Sequence, residues 1–174
     1  MPGQAKQIYN GKVVHLEIVD IQLPDGSTAQ REVIRHSGAV AIIALDDQQQ
    51  VFMVRQYRIG ADQHLYEIPA GLLGPGEPPE QAAVRELREE TGYRPGTLEA
   101  LGGFYVAPGY TTEFIHLFIA RDLVHDPLAQ DKDEFLEAQS MPLKDAIHMI
   151  DEGKIVDSKT IIGLLRLARQ LDLS

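Results

Sequence analysis

The stretch from Gly71 to Tyr93 reads GLLGPGEPPEQAAVRELREETGY. Its first part, residues 71–79, is dense in glycine and proline and predicts an irregular loop. The pattern then turns helical and predicts a helix over 79–91. Pro79 suits a first helical turn, and Gly92 suits the position just past a helix end. At about 100° per residue, Glu86, Glu89 and Glu90 fall within about 100° of arc. Val84, Leu87 and Thr91 are expected to point the other way and pack against a sheet. Carboxylate oxygens clustered on one face are what a hard cation such as magnesium requires. The plain alternative is a solvated helix face. On it Arg85 would pair with Glu89 and Glu90 with Arg94, each pair contributing a few tenths of a kcal/mol. The glycine-rich loop that runs straight into the helix, with Glu77 just before it, weighs against that alternative.

Outward from this stretch, the chain alternates two kinds of signal. Residues 7–23 are rich in Val, Ile and Leu and alternate weakly. Pro24, Asp25, Gly26 and Ser27 form a turn signal, and residues 28–36 run back as a second strand, giving an N-terminal hairpin or small sheet. Residues 38–45 are a continuous apolar run and predict a strand buried on both faces. Further strands are predicted over 51–57, 98–106, 114–120 and 135–141, with a long acidic loop over 122–134. Helices are predicted over 143–151 and 158–171, the second with Ser158 as N-cap and an apolar stripe at Ile161, Ile162, Leu164, Leu165 and Ala168. This order predicts a mixed sheet covered by helices. The expected organisation is an N-terminal strand extension over 1–37 and a main domain over 38–174.

Composition sets bounds. The 174 residues are 44% apolar and 24% charged, with no cysteine and a net charge of −10. That supplies a core without staples, and it excludes disulfides, thiol nucleophiles and cysteine zinc sites. So acidic a chain is a poor non-specific binder of nucleic acid. Divalent cations could still sit between its carboxylates and a phosphate compound. The first fourteen residues are polar and mixed, unlike a signal peptide, and the apolar run 39–45 is too short to cross a bilayer. A cytoplasmic protein with no membrane or nucleic-acid partner is expected.

Gly71, five residues, Glu77, seven residues, then Arg85-Glu86-Leu87-Arg88-Glu89-Glu90-Thr91-Gly92-Tyr93 resembles the Nudix box at every fixed position. The one soft departure is Tyr93, where an aliphatic residue is more usual. The resemblance implies an α/β (α+β) fold, an α/β/α sandwich with a mixed central sheet and an N-terminal antiparallel strand extension. It implies that Glu86, Glu89 and Glu90, with the carbonyl of Ala70, hold two or three magnesium ions, for which manganese can substitute. Glu89 would also assist catalysis. Gly71 and Gly92 would be structural, and Glu77 would brace the loop against Arg85. The base that activates water would come from residues 131–137, with Glu134 favoured over Glu137.

The resemblance continues in Arg55-Gln56-Tyr57-Arg58, in Glu67-Ile68-Pro69-Ala70-Gly71 and in Ala107-Pro108-Gly109-Tyr110-Thr111-Thr112-Glu113. These look like the branch that cleaves ADP-ribose and other sugar nucleotides. Pro108 matches a place where this branch tends to carry proline and is expected to shape its loop. The implied substrate-binding residues are Arg58 for diphosphate, Glu113 for ribose hydroxyls or the metals, and Arg31 and Glu32 for the adenine side. Glu67 is a further candidate, at the metals or behind them. Arg31 and Glu32 could equally be surface charges, and the plainer alternative for Arg58 is a surface arginine at a strand end. The branch also implies a homodimer whose site borrows residues from both subunits. The expected reaction is cleavage of ADP-ribose to AMP and ribose 5-phosphate. Alternatives are another nucleotide sugar such as GDP-mannose, a regulator that binds ADP-ribose without cutting it, or a triphosphatase. The six histidines are scattered, with no partner at metal-ligand spacing. His116 is expected to be a core histidine. Tyr105 and Tyr110 could stack on a base or fill a loop.

Overall fold

A computed structural model describes residues 5–129 and 135–172. The N-terminal segment forms a three-stranded antiparallel sheet in the order β1 (Ala5–Asn10), β2 (His15–Gln22), β3 (Thr28–Arg35). Residues 7–23 are thus two strands where the sequence suggested one. The chain reverses at Gly11, whose N–H reaches the Val14 carbonyl at 2.9 Å. The turn at 24–27 forms as expected, with Asp25 accepting from the Ser27 N–H at 3.0 Å and from its hydroxyl at 2.6 Å.

The following elements are β4 (Ala39–Ala44), β5 (Gln50–Arg58), β6 (Gln63–Glu67), β7 (Ala70–Leu72), α1 (Pro79–Thr91), β8 (Tyr93–Arg94), β9 (Thr97–Tyr105), β10 (Phe114–Arg121), β11 (Val124–His125), β12 (Leu136–Pro142), α2 (Leu143–Asp151) and α3 (Ser158–Gln170). The central sheet has the order β7-β4-β10-β9. Strand β4 runs parallel to β10, and the outer pairs are antiparallel. A second antiparallel sheet has the order β12-β5-β6. The short strands β6 and β7 were not visible in the sequence.

Strand β4 explains the layering. All six of its residues are buried. Val40, Ile42 and Ala44 face Ala82, Ala83 and Leu87 of α1. Ala41 and Ile43 face the opposite core, shared with Leu164 and Leu167 of α3 and Leu143 and Ala146 of α2. A strand with period-two alternation and both faces apolar must be covered on both sides. The result is the α/β/α sandwich. Each fully buried Leu or Ile contributes about 1.5–3 kcal/mol.

One local reading changes and another holds. The N-cap of α3 is Asp157, not Ser158: its carboxylate accepts from the Thr160 N–H at 3.0 Å. An ionised carboxylate one residue earlier reaches the free amide better than the serine hydroxyl. At the other end of α1, Gly92 adopts φ 81° and its N–H bonds to the Arg88 carbonyl at 3.1 Å, as expected of a left-handed cap.

Candidate active site

Strand β7 pairs with β4 and packs against α1, so the loop before the helix and the helix itself meet at one edge of the sheet. On α1 the buried residues are Ala82, Ala83, Glu86, Leu87 and Glu90. They span about 140° of arc with Glu90 near the middle. The carboxylate face is therefore not opposite the anchoring face, as the sequence suggested; two glutamates lie inside it. Val84 and Thr91 are only half-buried. Polar groups at that edge make this arrangement possible. Glu90 accepts from the Ala70 N–H at 3.0 Å. The Glu90–Arg94 pair does not form, because Arg94 turns to Asp126 at 3.5 Å.

Gly71 is needed for a steric reason. A Cβ at this position would stand 2.0 Å from Glu86 Cδ and 2.1 Å from its Oε1. The Glu86 carboxylate fills the space a side chain would take. Arg85 ties the rest together. Its Nε and Nη2 donate to the two Glu77 oxygens at 2.9 Å each, and Nη2 also reaches the Leu72 carbonyl at 3.1 Å. Its Nη1 donates to Glu86 at 2.6 Å and to Glu89 at 2.9 Å. The Arg85–Glu89 contact of the plain alternative is present, as one strand of this network. Arg85 first, and then the Gly74 N–H at 2.9 Å, pull the Glu77 carboxyl down to about 2. Arg85 in turn is raised above its ordinary value, chiefly by Glu77.

A cleft of about 730 Å³ opens beside these groups, within the usual range for a small-molecule site. Its lining includes Gly71, Arg85 and Glu86, together with Arg58, Glu113 and Lys159, and Lys12 from the turn between β1 and β2. Arg58 is 40% exposed and is held by Glu67 through two bonds of 2.7 Å. Glu67 is 1% exposed. Burial pushes its carboxyl up, but the bonds from Arg58 and the charge of Lys159 outweigh this and leave it below its ordinary value. Lys159 contacts Glu67 and also Asp157, at 3.1 Å. Glu67 therefore stands behind Arg58, with both oxygens engaged, rather than facing the cleft. Glu113 has His36 beside it at 3.9 Å. Since His36 Nδ1 accepts from the Gly38 N–H at 3.0 Å, a neutral ring carries its proton on Nε2, facing Glu113.

The remaining expected residues are spread out. Arg31 and Glu32 line a separate shallow surface with Ile18 and Gln30 on the N-terminal sheet, and this chain does not bring them to the cleft. Glu137 lies on β12, is 80% exposed, and stands 3.6 Å from Arg55. Glu134 lies outside the described residues. Pro108 is exposed in a loop whose turn is closed by the Tyr110 and Thr111 N–H groups on the Ala107 carbonyl. Tyr105 and Tyr110 are 59% and 58% exposed. His116 is half-buried, its ring 4.9 Å from that of Phe114. Sequence reasoning missed Lys159, Asp157, His36 and Lys12. Only Asp157, a capping residue type just before a helix, carried a local signal.

A family model described as NUDIX domain matches residues 35–162. The chain belongs to the Nudix family. It is 43% identical over 169 residues to a methanol dehydrogenase activator of Bacillus methanolicus, covering 96% of this chain and 91% of that one. It is 40% identical over 161 residues to an ADP-ribose pyrophosphatase of Bacillus subtilis (strain 168), covering 91% and 87%. A crystal structure described as an ADP compounds hydrolase superposes with a TM-score of 0.86 at 22% identity, covering 99% of this chain and 94% of that one, and shows the same fold. Nudix hydrolases generally use a divalent metal. Among the described residues, no three carboxylate or histidine groups stand ready as a cage around one point. The donor set of this Nudix chain nevertheless fits a hard cation: all oxygen, borne on one helix flank, with Gly71 leaving the room that Glu86 occupies. No helix among the described residues is long and apolar enough to cross a membrane.

Proposed function

We propose that the chain hydrolyses the diphosphate bond of ADP-ribose to AMP and ribose 5-phosphate, in the cytoplasm. The observation that supports this reading is a cleft lined by Glu86, Arg58 and Glu113, with Glu89 and Glu90 on the same helix as Glu86. Two or three magnesium ions held by these glutamates and the Ala70 carbonyl, with manganese able to substitute, would neutralise the diphosphate and acidify the attacking water. Water adds to one phosphorus, the bridging P–O bond breaks, and the water's proton passes to Glu134 or, second, Glu137. Arg58, oriented from behind by Glu67 and Lys159, donates charge-assisted hydrogen bonds to the diphosphate. Glu113, backed by His36, accepts from ribose hydroxyls. Glu77 and Arg85 brace the loop that carries Ala70 and Gly71, and Pro108 shapes the loop that carries Glu113. The extension over 1–37 is the dimerisation element, where Ile8, Tyr9, Val13 and Val14 are exposed. Through it a second copy supplies Arg31 and Glu32 to the adenine side.

The test is a hydrolysis panel with magnesium in labelled water. ADP-ribose giving AMP and ribose 5-phosphate supports the reading. Preference for GDP-mannose would move the substrate, and pyrophosphate released from a nucleoside triphosphate would move the reaction. Binding of ADP-ribose without turnover would favour a regulator. The 43% relative supports a second reading, action on a dehydrogenase. Activation of methanol dehydrogenase by a chain inert toward every compound of the panel would favour it.

A further inference from the structure

A guanidinium has N–H donors in a fixed planar fork and no acceptor. In Arg85 the fork divides into two halves with different tasks. Nε and Nη2 hold Glu77 and the Leu72 carbonyl, which is the brace. Nη1 is not needed for that brace, yet it lies between Glu86 and Glu89, at 2.6 and 2.9 Å. Adjacent carboxylates repel, and a positive charge between them lets both stay ionised. A divalent cation gripped by the same two groups would do the same.

We propose that Arg85 is a resident counter-cation: its Nη1 holds Glu86 and Glu89 until a divalent cation takes their oxygens, while Nε and Nη2 stay on Glu77. This rests on the assignment of Glu86 and Glu89 as cation ligands. The consequence has a sign. A residue that only braces the loop helps cations bind, so its loss weakens binding. A counter-cation competes with them, so its loss tightens binding.

The experiment is Mn²⁺ titration without substrate, read by electron paramagnetic resonance, on the wild type, E77Q, R85Q and R85K. E77Q loses the brace and keeps the counter-cation, whereas R85Q loses both, so R85Q is expected to bind Mn²⁺ roughly tenfold more tightly than E77Q, the effect of the charge-assisted Nη1 contacts no longer given up on loading. R85K, which keeps the charge without the fork, is expected to stay near the E77Q affinity. Binding by R85Q equal to or weaker than that of E77Q overturns the proposal. If R85Q does not fold, nitrogen-15 NMR of the wild-type guanidinium decides. Adding Mg²⁺ should change the Nη1 protons and leave the Nε–H signal in place, and a uniform change or none at all overturns the proposal. A wild type that binds no divalent cation overturns it together with the ligand assignment, whereas binding by wild type with the wrong sign in R85Q relative to E77Q overturns this inference alone.

Discussion

Gly71→Ala adds one methyl group where β7 meets α1. Its Cβ would stand 2.0 Å from Glu86 Cδ and 2.1 and 2.3 Å from the carboxylate oxygens, far inside the 3.5–4 Å of a normal contact. Gly71 is not among the residues with positive φ, so backbone strain contributes nothing and the collision is the whole effect. The obstacle is the end of a side chain, so the sheet can hold and the Glu86 carboxylate must move. Its movement forfeits the 2.6 Å bond from Arg85 Nη1, a charge-assisted contact contributing about 1.5–3 kcal/mol. Overpacking of this kind costs about 1–3 kcal/mol. The two overlap, and a net loss of about 1–3 kcal/mol corresponds to roughly 2–12 °C in Tm for a chain of this size. Function should suffer more, because a group proposed to ligate the cation has left its place. Magnesium affinity is expected to fall by more than about tenfold and ADP-ribose turnover by about a hundredfold or more, since even outer partners of metal ligands are worth about 10–100-fold. Calorimetric melting, Mn²⁺ titration and product release measure the three effects. A variant that binds magnesium and turns over like wild type would refute the packing argument, whatever its Tm.

Leu87→Ala removes the fully buried side chain that packs α1 against Val40 and Ile42. It should cost about 2–5 kcal/mol in urea unfolding, and no loss would mean that the helix is anchored elsewhere. Arg58→Gln should raise KM for ADP-ribose by about tenfold or more with a smaller change in kcat, the signature of lost binding common to ground and transition states; an unchanged KM would remove Arg58 from the diphosphate. The Glu77 carboxyl lies near 2 in the fold against an ordinary value of 4.5. Its contribution to stability is therefore complete above about pH 4.5 and is lost as pH falls toward 2. Melting of wild type and Glu77→Gln across that window should converge at the acid end, and a constant difference would refute the linkage.

The sequence made the sandwich legible because its two decisive elements carry strong periodic signals. The run 38–45 is apolar on both faces, and β4 is buried on both faces. The helix 79–91 has proline at its start and glycine at its end, and α1 has those bounds. Strands β6 and β7 escaped because they are short, and β6 begins with the exposed Gln63 and His64. The carboxylates were found by their spacing, but their burial was not, since helical period says which residues share a face and not which face the sheet takes. Glu86 and Glu90 go inward because Arg85 and the Ala70 N–H wait there, partners set by tertiary contact. Lys159 and His36 were missed for the same reason. Lys159 is 92 residues from Glu67, and His36 is 77 residues from Glu113, so no local pattern links them.

The most direct measurement is ADP-ribose turnover by Glu90→Gln under saturating magnesium, with the fold checked by circular dichroism and melting. Replacing one oxygen of a buried carboxylate by an amide leaves size and packing nearly unchanged, so a folded protein is expected. Its kcat is expected to fall by at least about a hundredfold, beyond what loss of an outer partner causes. A folded Glu90→Gln protein with a near-normal rate would contradict the claim that these glutamates hold the cations that drive the reaction.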